Sequence, residues 1–194
     1  MRPAPTSLRR SQIPGVYVPL LYRAEEDSFG RTHVVPVEGS GAPEKVVKRV
    51  VADFKALDPV NTTLVPYPQV VQDRLAVEVL RGCARGCRFC QAGMTYRPVR
   101  ERPADQIVAA VMRGLACTGY DQVSLTSLST TDHSNLEDVL RRLNANLSGK
   151  GISVSLPSER LDSFGVEMAK LVAGEKKGGL TFALEAGTLR MRDV

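Results

Sequence analysis

The chain has 194 residues, of which 43% are hydrophobic and 24% are charged, a composition typical of a globular protein. Its formal net charge of +5 is a modest excess without a pattern of stacking aromatic residues, so nucleic-acid binding is not indicated. No apolar run reaches the roughly 18 residues of a membrane-spanning helix, so no such helix is expected.

Residues 1–73 are rich in proline and predict an extension rather than an independent core. Two short strands, at residues 16–22 and 32–37, flank a polar turn at residues 25–30 and together predict a β-hairpin. Residues 46–54 carry apolar side chains at helical spacing, but their valines also suit a strand, so this segment stays unassigned.

From residue 74 the pattern changes to alternating strands and helices, and we expect a separate domain over residues 74–194. The predicted strands are residues 76–80, 123–128, 152–156 and 180–185. The first predicted helix begins at Pro103 and ends at Gly119, and the second follows a capping pattern formed by Ser134 and Glu137. This alternation predicts an α/β fold with parallel strands joined by right-handed crossovers.

Three cysteines, Cys83, Cys87 and Cys90, follow the first strand of this domain at C-x3-C-x2-C spacing, with Phe89 directly before the third. Three thiolates on one loop can hold three corners of a cubane iron–sulfur cluster. The fourth iron is then left without a protein ligand, whereas electron carriers of the ferredoxin type close every corner with cysteine. An open corner can bind a substrate or cofactor, as an open zinc position does.

Three other uses of cysteine fit the sequence less well. A structural zinc site usually has two paired knuckles, but Cys117, His33 and His133 supply no second pair. Four cysteines are an even number, yet 194 residues is long for a scaffold held together by disulfides. Buried, inert cysteines are the third use, and we expect Cys117 to be one of them, on the apolar side of the first domain helix.

Arginines are frequent around the cysteines. Arg81, Arg85 and Arg88 either balance the negative charge of a cluster and a bound carboxylate or are solvated loop residues. A second group is expected to be solvated where the chain approaches the next helix: Arg97, Arg100 and Arg102.

The cysteine spacing, Phe89 and the missing fourth ligand resemble the radical S-adenosylmethionine (SAM) enzymes. In that superfamily the open iron chelates the amino and carboxylate groups of SAM, and reduction cleaves SAM to a 5′-deoxyadenosyl radical. Further sequence segments resemble a bacterial subfamily that usually carries a cobalamin-binding-like domain before the radical core. These segments lie at residues 14–19, 65–67, 77–83, 91–102 and 184–193, so the resemblance covers most of the chain.

The resemblance implies a partial (β/α) barrel of about six β/α units, of which residues 74–194 supply about the first four. It also implies a 4Fe–4S cluster held by Cys83, Cys87 and Cys90, SAM as cofactor, and an electron donor such as a flavodoxin or ferredoxin. Cobalamin would be bound by a domain outside these residues. Because the later β/α units are missing, we expect the chain to be a fragment that is inactive alone.

In barrel folds the chemistry lies at the carboxyl ends of the strands, and this rule selects further contacts to SAM. Most radical SAM enzymes have a glycine-glycine-glutamate stretch after the second strand, which holds the SAM amino group. Here residues 126–132 read Thr-Ser-Leu-Ser-Thr-Thr-Asp, so the hydroxyl of Ser127 or Ser129 or the carboxylate of Asp132 would replace that contact. The alternative for these residues is helix capping and solvation in a loop.

After the third strand, Ser155, Ser158 and Arg160 are expected to hold the SAM ribose and carboxylate, since the guanidinium fork of arginine can bind both carboxylate oxygens. The alternative for Arg160 is a surface ion pair with a nearby acid such as Glu159. Glu185 ends the fourth predicted strand, where a carboxylate needs a partner such as an amino group or a ribose hydroxyl. Its alternative is a salt bridge in the core.

These features predict a radical SAM enzyme that cleaves SAM reductively and abstracts hydrogen from an unidentified substrate. The alternative is a non-catalytic iron–sulfur protein that carries electrons or serves as an interaction module. Free cysteines and an oxygen-sensitive cluster fit a cytoplasmic protein.

Overall fold

The computed structural model describes residues 9–57, 64–157, 159–160, 164–173, 180 and 182–192. The chain divides into two compact units, Met1–Ala52 and Asp53–Val194. Residues 53–73 thus fall in the second unit, and the domain boundary between residues 73 and 74 stays a prediction. Among the described residues, no helix is long and apolar enough to cross a membrane.

The first unit contains the predicted β-hairpin. Strand β1, Tyr22–Glu26, pairs antiparallel with β2, Thr32–Pro36. The connecting turn closes with the backbone N–H of Gly30 donating to the Asp27 carbonyl at 3.0 Å. The hairpin is confirmed, but β1 begins later than predicted because Pro19–Leu21 form one turn of 3-10 helix.

The second unit is built on a parallel sheet. Its strands in the described residues have the order β3-β6-β7 and are β3 (Leu75–Glu78), β6 (Gln122–Thr126) and β7 (Ser153–Ser155). A short antiparallel ribbon follows β3 and consists of β4 (Leu80–Arg81) and β5 (Arg100–Glu101). The helices are α1 (Gln91–Thr95), α2 (Ala104–Thr118), α3 (Leu136–Leu147), α4 (Val166–Ala173) and α5 (Leu189–Arg192). The α/β class and the parallel strands are confirmed, and the sheet in the described part is open.

Hydrophobic side chains from the sheet and from helices α2 and α3 form the core. Fully buried examples are Leu75 on β3, Leu125 on β6 and Leu140 on α3. Helix α2 approaches β3 so closely that a Cβ atom on Gly114 would lie 2.6 Å from Leu75 Cδ2. A larger residue at position 114 would therefore displace the Leu75 side chain within the core.

Helix α2 follows most of its sequence signals. It begins directly after Pro103 and ends at Gly119, as predicted. The prediction for Cys117 is wrong, because this residue is exposed. The last buried residue of α2 is Leu115, and Cys117 lies in the final turn of the helix beyond it.

Two predictions about later elements are also wrong. The capping pattern fails because no side chain caps the N-terminus of α3, and the backbone N–H of Ser134 donates to Glu101 Oε1 at 3.2 Å. The fourth strand is absent from the described part of residues 180–185, where Phe182 forms an isolated parallel bridge. Strand-forming side chains produce a strand only where a neighbouring strand pairs with them.

Candidate functional site

The carboxyl ends of the parallel strands lie at one edge of the sheet. Beyond β3 this edge carries the three cysteines, beyond β6 it carries residues 127–132, and beyond β7 it carries Arg160. Ligands of open α/β sheets bind outside these carboxyl ends. The fold thus brings three of the predicted segments to one edge, while Ser158 lies outside the described residues.

The cysteine loop, which we define as residues 82–99, is closed at its base by the β4–β5 ribbon, and we call this base the neck. The chain leaves through β4 and returns through β5, and these two strands pair with each other. Inside the neck, Gly82 has φ 89°, and a Cβ atom there would lie 2.6 Å from the Tyr96 carbonyl oxygen and 2.8 Å from that of Pro98. The neck can close this tightly because residue 82 has no side chain.

The three cysteines are free and partly exposed. The Cys83 sulfur accepts the backbone N–H of Arg85 at 3.4 Å, and the Cys90 sulfur accepts that of Gly93 at 3.3 Å. Cys90 also precedes α1, and its own N–H donates to the Cys87 carbonyl at 3.0 Å. Backbone N–H groups directed at sulfur stabilise thiolates and tune the reduction potential of iron–sulfur clusters.

This donor set fits a cubane cluster. No group of three His, Cys, Asp or Glu side chains in the described residues is close enough to hold a single metal ion. A cubane cluster needs a wider spacing of ligands than a single metal ion, because each thiolate binds its own iron and the sulfurs lie further apart. Cys83, Cys87 and Cys90 would each bind one iron, and their partial exposure leaves the thiols accessible.

An ion pair connects the cysteine loop to the segment after β6. The guanidinium of Arg85 donates from Nε to Asp132 Oδ2 at 2.9 Å and makes a second contact to Oδ1. This hydrogen bonding holds the pKa of Asp132 below its usual range, and the positive charge of Arg160 adds to the lowering. The Asp132 side chain is 16% exposed, so it is not a solvated loop residue.

Two of the predicted serines, Ser127 and Ser155, already have partners within the protein. Ser127 Oγ lies 2.9 Å from Thr130 Oγ1 and accepts the backbone N–H of Ser129 at 3.1 Å. Ser155 Oγ donates to the Val123 carbonyl at 3.3 Å, across the β6–β7 pair. A contact of either hydroxyl with SAM stays a prediction, and it would have to share or replace these bonds.

A cavity of about 340 Å³ opens beside the neck of the cysteine loop. Its walls come from the end of β3, the ribbon, Tyr96 and residues 126–128 after β6. On this wall Arg81 donates to both Glu78 carboxylate oxygens, at 2.7 and 2.5 Å, so Arg81 is paired rather than solvated. The cavity has the size of a small-molecule site. Sequence reasoning missed Glu78, which reads as an ordinary strand residue.

Two carboxylates after the later strands have opposite environments. Glu159 is 8% exposed, and its oxygens have no hydrogen-bond partner in the part of the chain that the structure describes. Burial raises the pKa of Glu159 to about 7. In the sequence, Glu159 stands out only through its position beside Arg160, as a candidate ion-pair partner. Glu185 instead lies on an exposed turn with φ 63°, a left-handed value outside the β region that strand residues adopt.

The protein-family model of the Radical SAM superfamily matches residues 77–194 of this chain. This match covers more than half of the chain and includes all three cysteines. The chain belongs to the radical SAM superfamily. The family that the cysteine spacing predicted is therefore confirmed, and the closed cysteine loop is part of a radical SAM domain.

Two relatives illustrate how far the similarity reaches. One is an uncharacterized protein of Methanocaldococcus jannaschii, 30% identical over 117 residues, which are 60% of this chain and 25% of the relative. The other is the tRNA-2-methylthio-N(6)-dimethylallyladenosine synthase of Phocaeicola vulgatus, 31% identical over 128 residues, which are 60% of this chain and 28% of the relative. The chain spans about a quarter of the length of these relatives.

Proposed function

We propose that this chain binds a 4Fe–4S cluster through Cys83, Cys87 and Cys90, and that SAM binds at the iron these cysteines leave open. When bound, the cluster and SAM would supply reductive cleavage of SAM to a 5′-deoxyadenosyl radical, which abstracts hydrogen from a substrate. The observation that carries the proposal is the closed cysteine loop at the carboxyl edge of a parallel sheet, inside the region that matches the superfamily.

The segment after β6 takes the place of the missing glycine-glycine-glutamate stretch. Its Asp132 carboxylate lies against the cysteine loop through Arg85, and the charge of Arg160 acts on it from the end of β7. We infer that Asp132 accepts a hydrogen bond from the SAM amino group and that Arg160 binds the SAM carboxylate. Further contacts to SAM are proposed for Ser127, Ser155, Ser158 and Glu185.

For the whole protein we propose a cytoplasmic enzyme that receives electrons from a flavodoxin or ferredoxin. One relative is named for a tRNA-modifying reaction. The net charge of this chain is a modest +5 without a pattern of stacking aromatic residues, which does not favour a nucleic-acid substrate. Cobalamin, bound by another domain, stays a prediction from the resemblance.

Electron paramagnetic resonance of the reduced protein tests this proposal. After anaerobic reconstitution with iron and sulfide, addition of SAM should shift the signal of the cluster. Cys87→Ala should take up little iron and show no shift, whereas Cys117→Ala, at an exposed position of α2, should behave like the unsubstituted chain. A cluster signal that does not respond to SAM would indicate the alternative, a non-catalytic iron–sulfur protein.

A further inference from the structure

Phe54 lies at the neck of the cysteine loop and faces three arginines. Its side chain is 3% exposed. The Cζ atoms of Arg81, Arg100 and Arg102 lie 5.0, 5.9 and 4.2 Å from the centre of its ring. A guanidinium group within about 6 Å of a ring centre is attracted by the π face. One ring thus contacts an arginine from each strand of the β4–β5 ribbon and a third arginine directly after it.

Arg102 connects the segment around Phe54 to the strand before the ribbon. It is 5% exposed, so the prediction of a solvated side chain is wrong. Its guanidinium donates to the Glu78 carbonyl at 3.1 Å and to the Leu57 carbonyl at 2.6 Å. A buried cation is tolerated where its N–H groups have acceptors, and here the acceptors come from two segments, strand β3 and the segment around Phe54.

The other two arginines restrain the ribbon and the loop. Arg81 is held by the Glu78 carboxylate. Arg100 donates from Nε to the Pro98 carbonyl at 3.1 Å, inside the cysteine loop. Three guanidinium groups this close to one another repel, so their arrangement depends on the groups that balance them. All three guanidinium groups lie within 5.9 Å of the centre of the Phe54 ring.

We propose that Phe54 is a positioning residue for the cysteine loop. Its π face holds the arginines of the two ribbon strands together, keeps the neck closed and thereby maintains the arrangement of the three cysteines. The inference rests on the proposed function, because the loop so held is the one to which the cluster is assigned. Phe54 precedes residues 77–194, so a segment outside the superfamily match would support the site.

Hydrogen exchange in the cluster-free chain tests closure of the neck. Phe54→Leu keeps an apolar side chain but loses the π face, and it should speed amide exchange in residues 82–101 on the order of tenfold relative to α3. Phe54→Tyr keeps the π face and should stay within about twofold of the unsubstituted chain. Phe164→Leu, the same change at a ring that packs edge-on against Phe182, should leave exchange in residues 82–101 unchanged.

The reconstituted chain supplies a second readout. Phe54→Leu should release iron to a chelator on the order of tenfold faster, and the midpoint potential of its cluster should shift, because the sulfurs are held less firmly. Phe54→Tyr should restore both values. A ring that only fills space would not distinguish leucine from tyrosine in this way.

Equal exchange rates in Phe54→Leu and Phe54→Tyr would overturn the proposal. If Phe54→Leu does not fold, Arg100→Gln provides the test of the proposal, because it removes one of the three cations and keeps the ring. It should give a smaller acceleration in residues 82–99, and no acceleration would equally overturn the proposal. A chain that takes up no cluster would refute the proposed function, while the exchange rates would still decide the role of Phe54.

Discussion

Arg85 and Asp132 are 47 residues apart in the sequence and form a two-point ion pair at the carboxyl edge of the sheet. The backbone of Arg85 also takes part in the cysteine loop, because its N–H donates to the Cys83 sulfur and its carbonyl accepts from Arg97 at 3.0 Å. The loop is therefore held in two places, at its neck and through this pair.

Asp132→Asn should lower the free energy of unfolding by about 1 kcal/mol near pH 7, since it weakens this partly exposed pair. The pKa of Asp132 is held below its usual range, so in acid the unfolded state binds more protons than the folded state. The stabilisation is present above the unfolded pKa of about 3.9 and disappears as the pH falls through the lower folded pKa. Urea unfolding across this range measures it.

The matched control is Asp105→Asn. Asp105 pairs with Arg142 at 2.7 Å, but its side chain is 86% exposed. Removal of its charge should therefore cost less than removal of the Asp132 charge. A loss at Asp132 that does not change with pH would show that the carboxylate charge is not its cause.

Gly82→Ala should open the neck of the cysteine loop. The left-handed φ and the close carbonyl oxygens of residues 96 and 98 together predict a loss of about 2–4 kcal/mol of stability and of most bound iron after reconstitution. Gly86→Ala lies in the same loop and meets no atom within 4 Å, so it should be nearly neutral. Urea unfolding and iron analysis compare the two, and equal effects would contradict the account of the neck.

Glu159→Gln should stabilise the protein at high pH. Burial raises the pKa of Glu159 from 4.5 to about 7, so the folded state binds more protons than the unfolded state between these values. The stability of the unsubstituted chain therefore falls as the pH rises from about 4.5 to about 7, by up to roughly 3 kcal/mol. The variant lacks this loss, and chemical denaturation at pH 5 and pH 8 measures the difference.

A suitable control for this experiment is Glu167→Gln, whose exposed carboxylate pairs with Lys170 at 2.7 Å. It should change stability little at either pH. If Glu159→Gln gives no more benefit at pH 8 than at pH 5, burial does not raise the pKa of Glu159 above its value in the unfolded chain.

Glu185→Gln separates the two roles considered for that residue. Because Glu185 is exposed, the substitution should leave the melting temperature and the iron content unchanged. If the carboxylate binds SAM, SAM affinity should fall on the order of tenfold, as expected for loss of a hydrogen bond to a charged group. A SAM titration of the reconstituted variant gives the result, and unchanged affinity would end the proposal for Glu185.

The sequence by itself was sufficient for the cysteine motif, the superfamily and the α/β class. Cys83, Cys87 and Cys90 are so close in the chain that one loop must carry them. Pro103 and Gly119 mark the ends of α2 through their own backbone preferences. Signals of this kind act within a few residues, so they can be recognised without knowledge of packing.

The tertiary structure alone decided which partner each charged side chain meets. Arg102 reads as a surface cation, yet the ring of Phe54 and two backbone carbonyls surround it. Asp132 reads as a loop residue but pairs with Arg85, and Glu159 reads as a surface acid but is buried. Desolvation and Coulomb energies depend on groups that are distant along the chain and close in space, and no local pattern of residues contains that information.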